Sequence, residues 1–415
     1  MKRTHTLVIG GGQAGLAMSS CLLHRGIDHV VLERGRVAER WRSERWDSLR
    51  LLTPRWQTRL PGWYYRGSDP DGYMTRDELV TYLEGYAASF AAPVETGAEV
   101  TSVERSGSGF SVTTAAGAWR ACNVVVATGH CMSPSVPSAA QALPSQITQE
   151  VPTGYRHARA LPAGGVLVVG ASSTGLQLAE EIRRSGRAVT LAVGGHTRLP
   201  RSYRGRDIQF WLEAMGVWND TAGHERDLDR ARREHSLQLI GSPEHRSIDL
   251  AHLQRVGVRL VGRLQGVEGR DVLLAPDLGD TMAAAHRRLE RLLGRIDEFI
   301  QSRRLPERRV APDRPAAVPV PAAPRTLDLE AAGIRTVLWA TGYRRSYPWL
   351  ASLDVLDERG EIRHDGGVTA APGLYVLGLQ FLRTRKSSFI DGVGPDAAFL
   401  ADHILARGSN RFVAA

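Results

Sequence analysis

Two glycine-rich turns, each set between a buried-strand run and a helical run, constrain this chain more than any other feature. The first follows Thr6-Leu7-Val8-Ile9 and reads Gly10-Gly11-Gly12-Gln13-Ala14-Gly15. Leu16 to Arg25 then has helical character and stops at Gly26, and His29-Val30-Val31-Leu32 reads as a second strand ending at Glu33. The second turn, Gly170-Ala171-Ser172-Ser173-Thr174-Gly175, follows the strand Gly165-Val166-Leu167-Val168-Val169. It leads into a helix from Leu176 to Arg184, a stop at Gly186 and a strand from Ala188 to Val193. A strand feeding a helix through such a turn presents backbone N–H groups to a phosphate. The two copies lie much too far apart for a solenoid repeat. They predict two α/β units of similar build, each a sheet sandwiched between helices in three layers.

Each residue type in the first turn has a physical job. Gly10 permits the tight turn, Gly12 lets a phosphate approach the backbone, and Gly15 lets the helix pack on the strand. Glu33, at the tip of the second strand, is placed to accept hydrogen bonds from ribose hydroxyls. This pattern fits either FAD or a nicotinamide dinucleotide. The second turn carries Ser172 where the middle glycine would stand, and Ser172, Ser173 and Thr174 offer hydroxyls to phosphate. Its second strand runs out through Val193-Gly194-Gly195-His196-Thr197-Arg198, without a carboxylate. Arg198, Arg201, Arg204 and Arg206 follow. An acid repels a 2′-phosphate and an arginine holds it, so this pattern predicts NADPH over NADH. The blander alternative is that these arginines solvate a loop. Two dinucleotide units in one chain imply hydride passing from NADPH to FAD, which assigns FAD to the first unit.

The rest of the composition excludes more than it identifies. A chain that is 42% hydrophobic and 23% charged is globular rather than mainly disordered. No apolar run reaches the ~18 residues of a membrane-spanning helix, and the short run after Met1 predicts no signal peptide. Cys21, Cys122 and Cys131 form neither a CxxC pair nor a metal-ligand spacing, so a dithiol motif and a metal site are not expected, and a reducing cytoplasm is. Lys2 and Lys386 are the two lysines among 53 basic residues, and the net charge is +9. The arginines are spread along the chain among glutamates, without a helix-turn-helix or an aromatic-basic platform, so nucleic acid is not an expected partner.

Between the units, Tyr73 to Phe90 reads as a helix with Thr75-Arg76-Asp77-Glu78 at its start. Residues 98–122 read as a small antiparallel β-meander, Asn123 to Ala127 as a buried strand, and residues 130–163 as a connector. Residues 280–304 form an amphipathic helix whose stripe of Leu289, Leu292, Leu293, Ile296, Phe299 and Ile300 reads as packing, with a homodimer contact as the alternative. Six prolines in residues 305–325 predict a semi-rigid linker. Thr336 to Ala340 and Leu374 to Leu377 read as buried strands, and a closing helix begins near Asp396. The expected domains are 1–160 with 326–415 for FAD, and an inserted 161–325 for NADPH. His130 and His157 read as structural. Cys131 is expected to point away from His130, since neighbours in extended chain alternate.

The order of these motifs resembles the flavin-containing monooxygenases and the wider class B flavoprotein monooxygenases. The resemblance rests on GGGQAG with Glu33, Ala127-Thr128-Gly129 after a buried strand, GASSTG, and Trp339-Ala340-Thr341-Gly342-Tyr343. Glu39-Arg40-Trp41-Arg42, Arg45 through Pro54 and Leu60-Pro61-Gly62 extend it. It covers most of the chain outside 280–325. Of the family's linker signature, whose positions fall here on Ser145, Ile147, Val151 and Tyr155, only Tyr155 fits, and the Baeyer–Villiger signature is absent. The resemblance implies an FAD site of Gly10, Gly12, Gln13, Ala14, Gly15, Glu33, Arg40, Trp41, Val100, Ala127, Thr128, Gly129, Gly378, Asp391 and Gly392. Read with the second turn, it implies an NADPH site of Gly170, Ser172, Ser173, Thr174, Gly175, Arg198, Arg201, Ala340, Thr341 and Gly342. Candidate catalytic neighbours of the flavin ring are Trp41, Asp47, Ser48, Thr53 and Gln57, with Arg50 a weaker one. The implied activity is NADPH-dependent oxidation of a small or medium organic substrate by dioxygen through a C4a-(hydro)peroxyflavin. The alternatives are a reductase or oxidase that inserts no oxygen, and a non-catalytic flavin-binding sensor.

Overall fold

The computed structural model describes residues 1–224, 228–232, 234 and 236–413. In chain order the main elements are β1 (Lys2–Ile9), α1 (Gln13–Leu23), β2 (His29–Leu32), α2 (Arg76–Ser89), β3 (Val94–Glu95), β4 (Val100–Ser106), β5 (Gly109–Thr114) and β6 (Gly117–Val126). Then come β7 (Thr148–Glu150), β8 (Gly165–Val169), α3 (Ser173–Arg184), β9 (Val189–Ala192), α4 (Ile208–Ala214) and β10 (Arg259–Val261). The chain closes with α5 (Leu278–Ser302), β11 (Ile334–Trp339), β12 (Leu374–Val376) and α6 (Val393–Val413).

Two parallel sheets organise these elements. In the first, β12, β6, β1, β2 and β3 lie side by side in that order, all parallel. In the second the order is β7, β11, β8, β9, β10, again parallel throughout. Parallel strands covered on both faces read as unbroken apolar runs, and all five residues of β8 are buried. β4 and β5 form the expected meander with β6. β6 is longer than the sequence suggests: it is at once the last meander strand and the buried strand of the parallel sheet.

The pairing corrects the expected boundaries at 160/161 and 325/326. β7 and β11 both belong to the second sheet, so the second unit draws on residues before 161 and after 325. The apolar run of β11 fits either sheet equally well, and the polar Thr148-Gln149-Glu150 of β7 carries no strand signal inside the expected connector, so only hydrogen-bond pairing places them. The first sheet takes its strands from both ends of the chain and the second from the middle, which is the topology of an insertion.

Helix boundaries follow their caps. Thr75 closes a capping box on α2, accepting from the Glu78 N–H while Glu78 accepts from Thr75 N–H at 2.8 Å. α1 starts at the glycine turn itself and α6 at Val393, three residues before Asp396. The apolar stripe of α5 is covered by the chain's own Leu199, Ile208, Trp211, Leu212 and Trp218, so it is used for internal packing. The proline-rich segment is tied down as a strap: the carbonyls of Val310, Ala316 and Pro319 accept from Arg204, Arg198 and Gln254.

Leu338, fully buried in β11 between β7 and β8, tests the second sheet. Leu338→Ala should lower stability by about 2–5 kcal/mol, seen as a lower urea midpoint with an unchanged slope.

Candidate functional site

The two glycine turns have the same construction. In each, the first glycine packs under the alanine that ends the neighbouring strand: a Cβ on Gly10 would press on the Ala127 carbonyl, and one on Gly170 on the Ala340 carbonyl. In each, the last glycine brings the helix onto the turn: a Cβ on Gly15 would overlap the Gly10 carbonyl, and one on Gly175 the Gly170 carbonyl. Gly10 and Gly170 both adopt left-handed φ, 112° and 111°. A Cβ on Gly12 would meet nothing within 4 Å, so the space before α1 is open. Neither α1 nor α3 has a side-chain cap at its N-terminus, whereas α2 and α4 are capped by Thr75 and Asp207. Uncapped N–H groups at a helix start are a ready anion site.

Glu33 stands where the sequence puts it, at the end of β2 and 8% exposed. One oxygen accepts from Gly11 N–H at 2.6 Å and the other from Gly35 N–H at 2.9 Å. A carboxylate has about four lone-pair positions, so acceptor capacity remains. In the second turn, Ser173 shares a 3.1 Å hydrogen bond with Ser236, while Ser172 and Thr174 are half-buried.

The alanine-threonine-glycine segments lie together at the crossings between the sheets. The residues after them pair antiparallel, Tyr343 with Pro134 and Arg344 with Ser133. Thr341 Oγ1 donates to the Ser135 carbonyl, and Thr128 Oγ1 lies 3.9 Å from Met132 Sδ. Gly129 and Gly342 both have positive φ. Of the remaining first-unit candidates, Trp41 Nε1 donates to Gln13 at 3.3 Å and Arg40 donates to Glu44 and the Met132 carbonyl. Val100 opens β4, half-buried and opposite Thr114. Gly378 passes so close to α1 that a Cβ there would lie 2.9 Å from that of Ala14.

The loop from Asp47 to Gln57 is covered by the second unit. Ser48 donates to Glu181 of α3, Tyr73 to Asp207 at 2.6 Å, and Arg201 to the Leu52 carbonyl at 2.8 Å. Asp47 accepts from Arg76 at 2.9 Å, and Thr53 is half-buried. Gln57 is 1% exposed, and both its amide atoms lack a partner. Buried polar atoms are nearly always satisfied, so the hydrogen-bonding capacity of this amide is left free. Two residues on, Arg59 bridges Glu213 of α4 at 2.9 Å and Asp391 at 3.3 Å. Burial raises the Asp391 carboxyl above its ordinary range, against the pull of nearby Lys386 and Arg59. A Cβ on Gly392 would overlap the Lys386 carbonyl, which keeps this segment tight against the start of α6. Trp218 and Phe389 meet at 5.0 Å between ring centres.

The structure reads three sites differently from the sequence. Arg198 donates to Asp249, to the Ala316 carbonyl and toward His286, with a side chain 5% exposed. Arg201, 1% exposed, is held by Asp207 and the carbonyls of Leu52 and Ile240. Neither guanidinium faces outward to a phosphate, because each is buried and its terminal nitrogens are paired with an acid and with backbone carbonyls. His130 lies near enough to Cys131 to act on its thiol, where alternation predicts divergence. They lie in loop rather than strand, so alternation does not apply. Burial raises the Cys131 thiol, but His130, Arg45 and Arg40 bring it down to about 7.

This fold and site define an oxidoreductase with two dinucleotide cradles. The profile of the family described as pyridine nucleotide-disulphide oxidoreductase matches residues 7–216. An uncharacterised CzcO-like oxidoreductase of Geobacillus kaustophilus is 33% identical over 401 residues, 96% of this chain and 97% of its own. This chain therefore belongs to the pyridine nucleotide-disulphide oxidoreductase family. A probable indole-3-pyruvate monooxygenase, YUCCA1 of Arabidopsis thaliana, is 29% identical over 96% of this chain and 89% of its own. The flavin-containing monooxygenase from Stenotrophomonas maltophilia has the same fold, with a TM-score of 0.69 at 20% identity, covering 98% of this chain and 99% of that one. Among the described residues no helix is long and apolar enough to cross a membrane.

Thiol reactivity follows from the Cys131 environment. A thiolate is the reactive form, so alkylation of Cys131 by iodoacetamide should rise with pH and reach half its plateau near pH 7. Cys21, buried and pushed up to about 11, should stay unmodified there. His130→Ala should move the Cys131 midpoint upward, as followed by mass spectrometry of the labelled peptides.

Proposed function

We propose that the chain is an NADPH-dependent FAD monooxygenase that oxidises a small or medium organic molecule with dioxygen. The observation that carries this reading is the pair of uncapped helix N-termini, α1 and α3, each over its own glycine turn and connected by adjacent crossing segments. FAD suits the first cradle: the open space before Gly12, the Glu33 carboxylate and the orphaned Gln57 amide match a pyrophosphate, a ribose and the polar edge of a flavin ring. NADPH suits the second, where Ser172, Ser173 and Thr174 surround the helix start. The monooxygenase names carried by relatives and by a structure of the same fold support the same choice.

A bound flavin would supply the dioxygen chemistry that amino-acid side chains lack. The chain's own residues bind, orient and exclude water. The N-termini of α1 and α3 would hold the two pyrophosphates. Glu33 would hold the ribose of FAD, and the unpartnered Gln57 amide would hydrogen-bond a polar group of the flavin. Ser48, Tyr73 and Leu52 anchor the second unit over the ring loop and limit water entry. The charged group of Arg59, Lys386, Asp391 and Glu213 joins α4 to the start of α6, so the position of the cover is coupled to the flavin end.

Two glycine variants separate the cradles. Gly15→Ala should yield a protein that purifies without yellow colour. Gly175→Ala should stay yellow while its bleaching by NADPH slows at least about tenfold, as read by anaerobic stopped flow.

The oxygen-insertion step has its own test. With ¹⁸O₂ and a panel of heteroatom and carbonyl substrates, at least one product should gain a single labelled oxygen, with peroxide well below the NADPH consumed. Peroxide equal to NADPH for every substrate would select the oxidase or reductase reading. A yellow protein that NADPH does not bleach would overturn the nicotinamide assignment itself.

A further inference from the structure

The sequence assigns Arg198 and Arg201 to a 2′-phosphate, yet both are buried and each is paired with an acid inside the fold. The charge that would select NADPH must then come from elsewhere. In a unit of this topology the adenosine ribose lies beyond the end of the strand that follows the phosphate-binding helix. Here that strand is β9, and the chain beyond it runs Val193-Gly194-Gly195-His196, with no acid and no cation able to reach out.

Two other arginines flank this turn. Arg263 lies just past β10, which pairs in parallel with β9 so that Ala192 stands beside Val261. Its side chain leans across Gly194: a Cβ there would sit 3.7 Å from Arg263 Cδ and 3.8 Å from Cγ. Gly194 has no side chain to fill this space. The Arg263 side chain is 55% exposed, and its ion pair with Asp277 is long, at 3.3 Å. On the other side Arg288 of α5, also exposed, donates to the His196 carbonyl at 3.0 Å.

We propose that Arg263, with Arg288 as a second contact, is the residue that selects a 2′-phosphorylated adenine dinucleotide. The assignment rests on the reading of the second cradle as the nicotinamide site. Asp277 holds the guanidinium near the turn when no phosphate is present. A phosphate dianion offers a planar fork more acceptor oxygens than one loosely paired carboxylate does. Arg198 has a different job, tying Asp249 and the Ala316 carbonyl together beneath the strap.

Equilibrium titration of the FAD-loaded protein with 2′,5′-ADP and with 5′-AMP tests this without turnover. Wild type should bind 2′,5′-ADP at least about tenfold more tightly than 5′-AMP. Arg263→Ala should remove most of that preference while leaving 5′-AMP affinity and flavin content unchanged, and Arg263→Lys should keep part of it. Arg288→Ala should have a smaller effect in the same direction. Asp277→Asn, which frees the guanidinium, should tighten 2′,5′-ADP alone. A wild-type preference that survives Arg263→Ala unchanged would overturn the assignment and leave the NADPH reading standing. A wild type with no preference between the two probes would overturn the NADPH reading as well.

Discussion

The structure depends on one close approach, made twice. At each turn a helix is brought onto the end of a strand with no room for a side chain between Gly15 and the Gly10 carbonyl, or between Gly175 and the Gly170 carbonyl. Only that proximity aims the first N–H groups of α1 and α3 out of the sheet at one fixed point. A longer approach would let those groups find solvent or a capping side chain, as the N-termini of α2 and α4 do. The neighbouring strand completes the device, because Ala127 and Ala340 end beside the first glycine of each turn and continue into the crossings.

The second constraint is the cover. Arg201, Asp207 and Glu213, described residues between β9 and β10, lie against the loop from Asp47 to Gln57 and its neighbours Arg59 and Tyr73. They are held there by contacts that cross the chain: Tyr73 with Asp207, Arg201 with the Leu52 carbonyl, and Arg59 with Glu213. α5 supports the cover from behind with its buried stripe. The result is a polar amide, Gln57, kept away from water and without a partner, opposite a group of paired charges at the start of α6. Holding such an amide unpaired costs about 1–3 kcal/mol, a cost that a ligand bound there offsets.

The arginine-rich composition acquires a physical meaning in this frame. Many arginines in the second unit work as carbonyl binders. Arg198, Arg201, Arg204 and Arg187 each donate to backbone oxygens in segments without regular hydrogen bonding. A guanidinium carries five donors, so one side chain can satisfy several such oxygens and pair an acid as well. This explains how a proline-rich strap and a long cover stay ordered with little secondary structure of their own.

Much of the fold was legible in the chain alone. The turns, their strands, the capping box at Thr75 and the stripe of α5 are local patterns, and local sterics and periodicity determine them. Glu33 was legible for the same reason, since a fixed distance along one strand places it beside its turn. What only the tertiary structure decided depends on pairing between distant segments. β7, a polar Thr-Gln-Glu segment, and β11, an apolar run that fits either sheet, join the second sheet through hydrogen bonds that their residue types do not specify. Arg198 and Arg201 turn inward because Asp249 and Asp207 happen to face them, and Gln57 is orphaned because another unit covers it. Residue type and spacing determine what a segment can do; which partners consume that capacity is settled only when the chain closes on itself.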